Sequence, residues 1–280
     1  MIINNPKKTW KNRILIGTPT TGLIRIEWAE RRYSQVVPTN WTVSDHKEFM
    51  SSSMPLRFQV SDAQNIIVER VIREDFEWMW LIEQDNVLPF DAFIRINQYM
   101  LKKKYPVVSG LYFTKGVPPE PIVYRGRGNS YFQDWKMGDK FFADGVPTGC
   151  TLIHSSLLKV LWDDSPEYIV GGRIVRRVFE EPARIVFNPV LHNFTGEFGT
   201  SDLEFCTRVI KGKYLIKAGW EKIGKQKYPF LVDTNLFTYH IDNNGRMWPL
   251  EIPKEFLPDP KKKKKDEYFG VGRGPHGENG

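Results

Sequence analysis

An apolar run that ends in two acids constrains this sequence most: FEWMWLIEQDNVLPF, Phe76–Phe90. Trp78–Ile82 places five apolar residues in succession, a length and composition that suit a strand buried on both faces. Glu83 and Asp85 follow at once, with Gln84 between them. The sequence therefore predicts a buried strand that delivers two carboxylates at its carboxyl end.

The segments around this run alternate between strand-like and helix-like patterns. Strands are predicted at RILIG (Arg13–Gly17), Trp41–Ser44 and Tyr105–Phe113, and helices at Gly22–Tyr33, Ser61–Glu74 and Pro89–Lys104. This alternation predicts an α/β fold with a mostly parallel sheet flanked by helices. Ligands of such sheets bind outside the carboxyl ends of the strands. Thr18–Thr20 and Glu83–Asp85 both follow predicted strands, so we expect them at one edge of the sheet.

The second half of the chain is less regular. Residues 114–149 are rich in glycine, proline and aromatic side chains and predict a small β-rich region. Cys150–Trp162 predicts a strand followed by a helix, and Ser201–Gly212 a helix that ends at glycine. Ser61 is predicted to cap the Ser61–Glu74 helix, and Ser201 to form a capping box with Glu204. We expect one domain over residues 1–257 and a basic, disordered tail over 258–280.

Charge and cysteine content restrict the partners and the compartment. The net charge is +7, but five lysines form one run, Lys261–Lys265, and without them the excess is about +2. A nucleic-acid partner is therefore not expected, although the run could attract an anionic membrane surface. Cys150 and Cys206 form no disulfide pattern. The expected location is the cytoplasm, with peripheral attachment at the inner membrane face left open, since neither a signal peptide nor a membrane-spanning run is seen.

Glu83 and Asp85 allow two interpretations. They could be solvated acids near the N-terminus of the following helix, where negative charge is favoured. They could also bind a hard cation such as Mg²⁺ or Mn²⁺, which prefers carboxylate oxygens and shares its ligands with substrate phosphates. No cysteine–histidine cluster indicates a zinc site, no phosphate loop is present, and GRGN (Gly126–Asn129) is too short for a dinucleotide fingerprint.

Four stretches, in order over about residues 13–210, carry a resemblance. They are RILIGTPTTG, SDAQNIIVE, LIEQDNVLPFDAFIRI, and VPTGCTLIHSSLL followed later by GTSDLEFCTRV. Together they resemble the GT-A glycosyltransferases, in particular the family-2-like group with its Asp-x-Asp (DXD) motif. The chain departs from that pattern at Glu83 in place of the first Asp, at Gln64 where Arg is frequent, and at Ser201 in place of Glu.

The resemblance implies a Rossmann-like, nucleotide-binding GT-A fold with a small β-rich acceptor region. It implies Mn²⁺ or Mg²⁺ bound by Asp85, with Glu83 at the ribose or the water shell of the ion and His240 as a further ligand. His240 could equally be a packed histidine, and Asp242 could replace it as ligand. The implied donor-binding residues are Thr18, Pro19, Thr20, Asn65, Glu83, Gln84 and Asp85, and the implied acceptor-side residues are Thr148, Gly149, Tyr131 and Trp135.

The implied reaction moves a sugar from a UDP- or GDP-linked donor to a hydroxyl of a glycan, lipid-linked or protein acceptor. Asp202 would be the general base of an inverting reaction, which its presence favours slightly, and retention stays open. A helix-dipole role for Asp202 is the alternative, and the two roles are compatible. The rival functions are a nucleotidyltransferase of similar fold and a non-catalytic nucleic-acid-binding protein. A basic residue expected in the first loop of a nucleotidyltransferase is missing from TPTTG (Thr18–Gly22).

Overall fold

The computed structural model of the protein describes residues 10–50, 52–126, 130–190 and 192–258. The Lys261–Lys265 run and the rest of the predicted tail beyond residue 258 lie outside this part of the chain, as do residues 127–129 of the GRGN stretch. Within the described ranges, no helix is both long enough and apolar enough to cross a bilayer.

Strands and helices follow one another along the whole described chain. The strands are β1 (Asn12–Gly17), β2 (Ser52–Ser53), β3 (Phe76–Ile82), β4 (Asn86–Val87), β5 (Val107–Leu111), β6 (Lys140–Ala143), β7 (Cys150–His154), β8 (Glu167–Val170), β9 (Arg173–Arg176), β10 (Ala183–Asn188), β11 (Asn193–Phe198), β12 (Phe230–Phe237), β13 (Tyr239–Ile241) and β14 (Met247–Trp248). The helices are α1 (Ile26–Tyr33), α2 (Val43–Met50), α3 (Val60–Arg73), α4 (Ala92–Lys102), α5 (Ser155–Asp163), α6 (Ser201–Lys211), α7 (Tyr214–Lys217) and α8 (Glu221–Gly224), with a 3₁₀ turn at Lys254–Phe256.

A seven-stranded sheet in the order β2-β1-β3-β7-β5-β12-β6 forms the centre of the fold. β2, β1, β3, β5 and β12 run in one direction, whereas β7 and β6 run antiparallel to their neighbours. The expected α/β class, a mostly parallel sheet flanked by helices, is confirmed. β6 belongs to the region predicted as a small β-rich unit, and it joins the edge of this sheet instead.

β3 lies inside the sheet and is buried on both faces, as its apolar run predicts. Its side chains alternate between two hydrophobic clusters. Met79 and Leu81 belong to the cluster that includes residues of α3, α5 and α6, while Trp78 and Trp80 belong to the cluster that includes residues of α1, α2 and α4. Helices therefore cover both faces of the sheet. This packing fixes the position of β3 and so the point at which the chain leaves the sheet after Ile82.

The reversed direction of β7 brings a second segment to the same edge. Ile82 at the end of β3 pairs with Cys150 at the start of β7. The residues just before β7, Thr148 and Gly149, therefore lie beside the residues just after β3. The backbone N–H of Glu83 donates to the Gly149 carbonyl over 3.0 Å, which continues the ladder one residue beyond the strands.

Three local predictions are wrong. Trp41–Ser44 is not a strand, because α2 starts at Val43. The Trp41 ring packs against Phe49 and Phe93. These tertiary contacts override the β propensity of Trp, Thr and Val. The α3 helix starts at Val60 with Gln59 as its N-cap, and the Ser61 N–H donates to the Glu181 carboxylate over 3.0 Å.

The third wrong prediction is the capping box in α6. Its N-cap is Thr200, which makes no side-chain capping bond, and Ser201 is already the first helical residue. The acids of the first turn, Asp202 and Glu204, remain where the sequence placed them. The helix ends at Gly212, as predicted.

A small sheet, β14-β13-β4, lies next to the end of β3. β13 pairs antiparallel with β4, with Tyr239 opposite Val87 and His240 opposite Asn86. Since β4 follows the acid segment after a short turn, this pairing brings the segment containing His240 beside the segment containing Asp85. Two further hairpins, β8–β9 and β10–β11, lie between α5 and α6 in the sequence.

Candidate active site

The chain turns sharply after β3, and backbone hydrogen bonds hold this turn. The Asn86 N–H donates to the Glu83 carbonyl over 3.1 Å, and the Trp28 indole N–H of α1 donates to the same oxygen over 2.8 Å. The Asp85 carbonyl accepts from the Ile241 N–H over 2.7 Å. The backbone of both acids is thereby fixed by α1 and β13, so their side chains start from defined positions.

Gln84 joins the loop after β1 to the turn after β3. Its Oε1 accepts from the Thr20 hydroxyl and from the Thr21 N–H, each over 2.8 Å. The Thr18–Thr20 and Glu83–Asp85 segments thus lie at one edge of the sheet, as their positions after parallel strands predict. Gln84 acts here by holding the loop that contains Thr20.

Two nitrogen atoms, one of Lys115 and one of His240, approach one oxygen of Asp85. Lys115 Nζ lies 2.6 Å from Oδ2, and His240 Nε2 lies 3.2 Å from the same atom. The Asp85 side chain is 32% exposed. Burial alone raises the pKa of this carboxyl, but the hydrogen bonds and charges of His240 and Lys115 outweigh burial and lower the pKa to about 2. Asp85 is therefore ionised at any pH at which the protein would work.

The orientation of His240 follows from its second contact. Its Nδ1 lies 3.1 Å from the Phe113 carbonyl oxygen, which can only accept, so Nδ1 carries the proton. Nε2 is then directed toward Asp85, and it either carries a second proton or offers a lone pair. A histidine that ligates a metal through one nitrogen usually donates its other N–H to a backbone carbonyl or carboxylate, and the contact with the Phe113 carbonyl meets this requirement.

Glu83 faces a different wall of the cleft. Its carboxylate lies beside Gly149, where the Tyr112 hydroxyl and the Asn86 amide also converge. Burial raises the pKa of Glu83 to about 8, and the charges of Asp85 and Asp202 contribute to the rise. At neutral pH Glu83 is therefore a protonated acid, able to donate a hydrogen bond while adding no negative charge.

Tyr112 shares this wall. Its hydroxyl accepts from the Gly149 N–H over 3.1 Å. Burial and the charges of Glu83 and Asp202 raise the pKa of Tyr112 well above its ordinary value, so the phenol stays neutral. Gly149 has no room for a side chain, because a Cβ there would overlap Asn86, Tyr112 and Glu83. Glycine is required at this position by the close approach of three side chains.

A cavity of about 340 Å³ opens between this wall and the first turn of α6. The N-terminal end of α6 contributes Asp202, while Glu181 enters from the loop before β10. The complete lining is Val60, Glu83, Tyr112, Ile122, Thr148, Glu181, Gly199, Thr200, Ser201, Asp202 and His240. Asp202 is half-buried, and its Oδ1 accepts from the Leu203 N–H over 2.8 Å. The cavity brings the predicted base, Asp202, to the same cleft as Glu83 and His240.

Thr148 lies in this cavity and is tied to α3. Its hydroxyl accepts from the Gln64 amide over 3.0 Å, so Gln64 supports the cavity wall. Thr148 is only 2% exposed. Thr148 thus lies in the wall of this cavity beside Gly149, and the acceptor-side role of both residues stays a prediction.

Three predicted donor residues do not face the cleft. Asn65 is 1% exposed, and its amide is fully used: Nδ2 donates to the Tyr168 hydroxyl and the Phe179 carbonyl, while Oδ1 accepts from the N–H groups of Val178 and Phe179. Its prediction as a nucleotide contact is wrong, because it pins the loop after β9 to α3. Thr18 and Pro19 are buried at the start of the loop that follows β1, so their side chains do not lie on the surface of that loop.

Two predicted acceptor residues pack against the hydrophobic core. Trp135 is 3% exposed and stacks on Phe256 at a centroid distance of 4.2 Å, so it belongs to the core. Tyr131 is partly buried against the same hydrophobic cluster. Both rings come from the aromatic-rich region, residues 114–149, whose side chains could either pack in the core or stack on a sugar. In the structure both rings pack against the core.

Several functional candidates went unnoticed in the sequence. Tyr112 directly follows β5 and Lys115 lies a few residues further on, at a strand end that meets the same edge. The rule that singled out Thr20 and Asp85 would have singled out Lys115, whereas Tyr112 fell inside the predicted strand Tyr105–Phe113. Glu181 had no comparable signal, because its position depends on the path of the loop between β9 and β10.

A divalent cation fits part of this donor set. Within the described residues, no group of three or more His, Cys, Asp or Glu side chains is arranged to hold a metal ion. Mg²⁺ and Mn²⁺, however, commonly use one or two protein ligands and complete their shell with water and substrate phosphates. Asp85 Oδ2 and His240 Nε2 are 3.2 Å apart. That spacing suits neighbouring ligands of an octahedral ion with bonds of about 2.1 Å, which lie roughly 3 Å apart.

No protein-family model matches the chain, and no curated protein matches it. Among solved structures, it is similar to A197 from STIV, with a TM-score of 0.48 and 15% identity over 91% of this chain and all of A197. It is also similar to a putative glucose-1-phosphate thymidylyltransferase from Bacillus anthracis in complex with a sucrose, with a TM-score of 0.32, 11% identity, and 55% of this chain and 76% of that one covered. S. aureus TarS matches with a TM-score of 0.32 and 10% identity over 54% of this chain and 29% of TarS. Likeness at this distance says nothing about activity, which has to be inferred from the residues of the cleft.

Proposed function

We propose that the protein is a GT-A-type glycosyltransferase that moves a sugar from a nucleotide-sugar to an acceptor hydroxyl with the help of Mn²⁺ or Mg²⁺. The observation that carries the proposal is the pairing of Asp85 with His240 at the carboxyl edge of the sheet, directly beside a cavity that contains Asp202. One cleft thus combines a candidate cation site and a candidate base, which are the two functions that glycosyl transfer needs.

The donor side would be formed by Thr20, Gln84, Asp85 and His240. Asp85 and His240 would hold the cation, which when bound supplies positive charge to the diphosphate leaving group. Gln84 would position the Thr20 loop, since it already accepts two hydrogen bonds from that loop. The ionised state of Asp85 at neutral pH supports this role.

The acceptor side would be the cavity between Glu83 and α6. Asp202 would take the proton of the acceptor hydroxyl as its oxygen bonds to the anomeric carbon. The bond from that carbon to the donor phosphate breaks, and the nucleoside diphosphate leaves with the electron pair. This sequence of events inverts the anomeric centre, and Asp202 is the observation that favours inversion.

Glu83 would contribute by staying protonated. A nucleoside diphosphate carries negative charge, and three ionised acids in one cleft would repel it. Burial raises the pKa of Glu83, and the cation would offset the charge of Asp85, so the negative charge that a diphosphate meets would be much reduced. The donor could then be UDP- or GDP-linked, and the acceptor a glycan, lipid-linked or protein hydroxyl.

A thermal-shift screen of nucleotide-sugars, each with and without Mn²⁺, tests the donor site. A ligand that binds only the folded state raises the melting temperature according to its concentration over its dissociation constant. We expect a shift that requires both the nucleotide-sugar and the cation and that is lost in Asp85→Asn. If no nucleotide-sugar shifts the melting temperature with any divalent ion, the proposal is wrong.

Analysis of the reaction products separates this function from nucleotidyl transfer. Glycosyl transfer releases a free nucleoside diphosphate, whereas formation of a nucleotide-sugar releases pyrophosphate. Incubating the protein with the stabilising nucleotide-sugar and a panel of acceptors should give the nucleoside diphosphate. Pyrophosphate as the product of a sugar phosphate and a nucleoside triphosphate would replace the proposal with the alternative.

A further inference from the structure

We propose that Lys115 is a built-in competitor of the divalent cation: it holds the Asp85 carboxylate in the metal-free protein, must leave when the cation binds, and is then free to pair with the diphosphate. The inference rests on the proposed function, because it concerns the same cation site. It adds a residue that neither the motif nor the resemblance indicated, and it assigns that residue control over metal binding.

The geometry makes the two occupants exclusive. Lys115 Nζ lies 2.6 Å from Oδ2 of Asp85, and this is also the oxygen that His240 Nε2 approaches to 3.2 Å. A cation coordinated by Oδ2 and Nε2 would sit at about 2.1 Å from each. An ammonium hydrogen-bonded to the same oxygen would then lie within about 4 Å of a doubly charged ion, a distance at which like-charge repulsion is strong. One of the two has to give way.

Lys115 is built to move without its backbone. It lies in a short loop whose two ends are fastened together, since the Thr114 N–H donates to the Glu120 carbonyl over 2.8 Å and the Glu120 N–H donates to the Thr114 hydroxyl over 3.0 Å. Its side chain is 32% exposed. A lysine side chain has four flexible methylenes, so the ammonium can change partner by rotation alone.

The exchange couples the cation to the nucleotide. Without a diphosphate, displacing Lys115 from Asp85 leaves an ammonium with a poorer partner, so the cation binds weakly. With a diphosphate present, the ammonium gains an anionic partner, so the same displacement costs less. The diphosphate therefore strengthens cation binding and, because coupling between two ligands is reciprocal, the cation strengthens diphosphate binding.

Titration of free Mn²⁺ by electron paramagnetic resonance tests this on the full chain, without any turnover. The samples are the wild type, Lys115→Met and Lys115→Arg, each with and without UDP. In the absence of UDP, Lys115→Met should bind Mn²⁺ about tenfold more tightly than the wild type, which corresponds to roughly 1.4 kcal/mol. Lys115→Arg keeps a cation on Asp85 and should behave like the wild type.

The UDP dependence gives a second readout. UDP should tighten Mn²⁺ binding in the wild type by a factor several-fold larger than in Lys115→Met, because the methionine variant has no ammonium to release. Lys225→Met is the matched control, since Lys225 pairs with Glu221 on the surface of α8, and its loss should leave Mn²⁺ affinity unchanged. Equal melting temperatures of the variants show that the fold is intact.

The outcomes separate the two proposals. Measurable Mn²⁺ binding with the same affinity in the wild type and Lys115→Met overturns the competitor role and leaves the proposed function standing. Absence of Mn²⁺ binding in every variant, even with UDP, overturns the cation site of the proposed function and the competitor role with it.

Discussion

The two acids at the end of β3 lie two residues apart and face opposite walls of one cleft. Asp85 meets Lys115 and His240, and its pKa falls to about 2. Glu83 is buried beside Tyr112 and lies near the charges of Asp85 and Asp202; burial first, and then these two charges, raise its pKa to about 8. One wall therefore offers a permanent anion to a cation, while the other offers a protonated acid. The chemistry of each acid is set by the distant segments that reach it.

Asp85→Asn should have the largest effect, because it removes the carboxylate that is proposed to hold the cation. We expect cation-dependent transfer to fall by about 10³-fold or more, comparable to the loss of a main electrostatic contribution in other enzymes. Release of the nucleoside diphosphate in the presence of acceptor measures the rate. Asp91→Asn, which removes a surface ion pair with Arg95, is the control and should retain full activity. An active Asp85→Asn protein would remove Asp85 from the mechanism.

Asp202→Asn should leave the proposed cation site at Asp85 and His240 intact and remove the carboxylate that is proposed to accept the proton. Transfer is expected to fall by about 10²-fold or more, the contribution usual for a general base. The thermal shift given by nucleotide-sugar and Mn²⁺ should stay the same, so the loss appears in turnover and not in donor binding. Glu204→Gln changes the other acid of the same helical turn and serves as the control. Unchanged transfer in Asp202→Asn would leave this acid with its helix-dipole role alone.

Gly149→Ala tests the crowding on the Glu83 wall. The added methyl group would overlap Asn86, Tyr112 and Glu83, so one of them has to shift. We expect a loss of about 1–3 kcal/mol in the free energy of unfolding, as for overpacking in a core. Urea denaturation measures this loss. Gly116→Ala meets only ordinary van der Waals contacts and should be close to neutral. A neutral Gly149→Ala would mean that the wall is looser than the close contacts imply.

The smallest effect is expected in the pH dependence of stability. The pKa of Glu83 rises from 4.5, the ordinary value of a glutamate, to about 8 in the folded protein, so the folded state binds the proton more tightly. Stability should therefore fall as the pH rises from about 4.5 through about 8, by on the order of 1 kcal/mol after solvent screening. Glu83→Gln cannot ionise and should flatten the curve in this window. The free energy of unfolding of both proteins between pH 5 and pH 9 provides the measurement, and parallel curves would contradict the raised pKa.

The sequence was sufficient for the parts of the fold that depend on local pattern. The uninterrupted apolar run of Trp78–Ile82 predicts a doubly buried strand, and the strand-then-helix order predicts the common edge of Thr20 and Asp85. Neither the order of the strands nor the reversed direction of β7 has a local signal. That reversal is what places Thr148 and Gly149 beside Glu83, so the acceptor side could be reached only through the resemblance.

The contacts that set the pKa of each acid are also beyond local pattern. Lys115 is 30 residues from Asp85 in sequence, and Asp202 is more than a hundred from Glu83. Asn65 shows that a match to a motif position can also mislead. Its side-chain amide makes four hydrogen bonds within the protein, so it has none left for a ligand. Whether an amide or a ring is available to a ligand depends on how the remaining chain packs around it.

The pairing of β4 with β13 has a consequence for motion. The Ile241 N–H donates to the Asp85 carbonyl, and β13 pairs with β4. These backbone bonds join the segments that contain Asp85 and His240 into one piece. We expect the backbones of Asp85 and His240 to move together when a ligand enters. Any opening or closing of the cleft is then expected from the Lys115 side chain and from the first turn of α6, which approach this piece from outside.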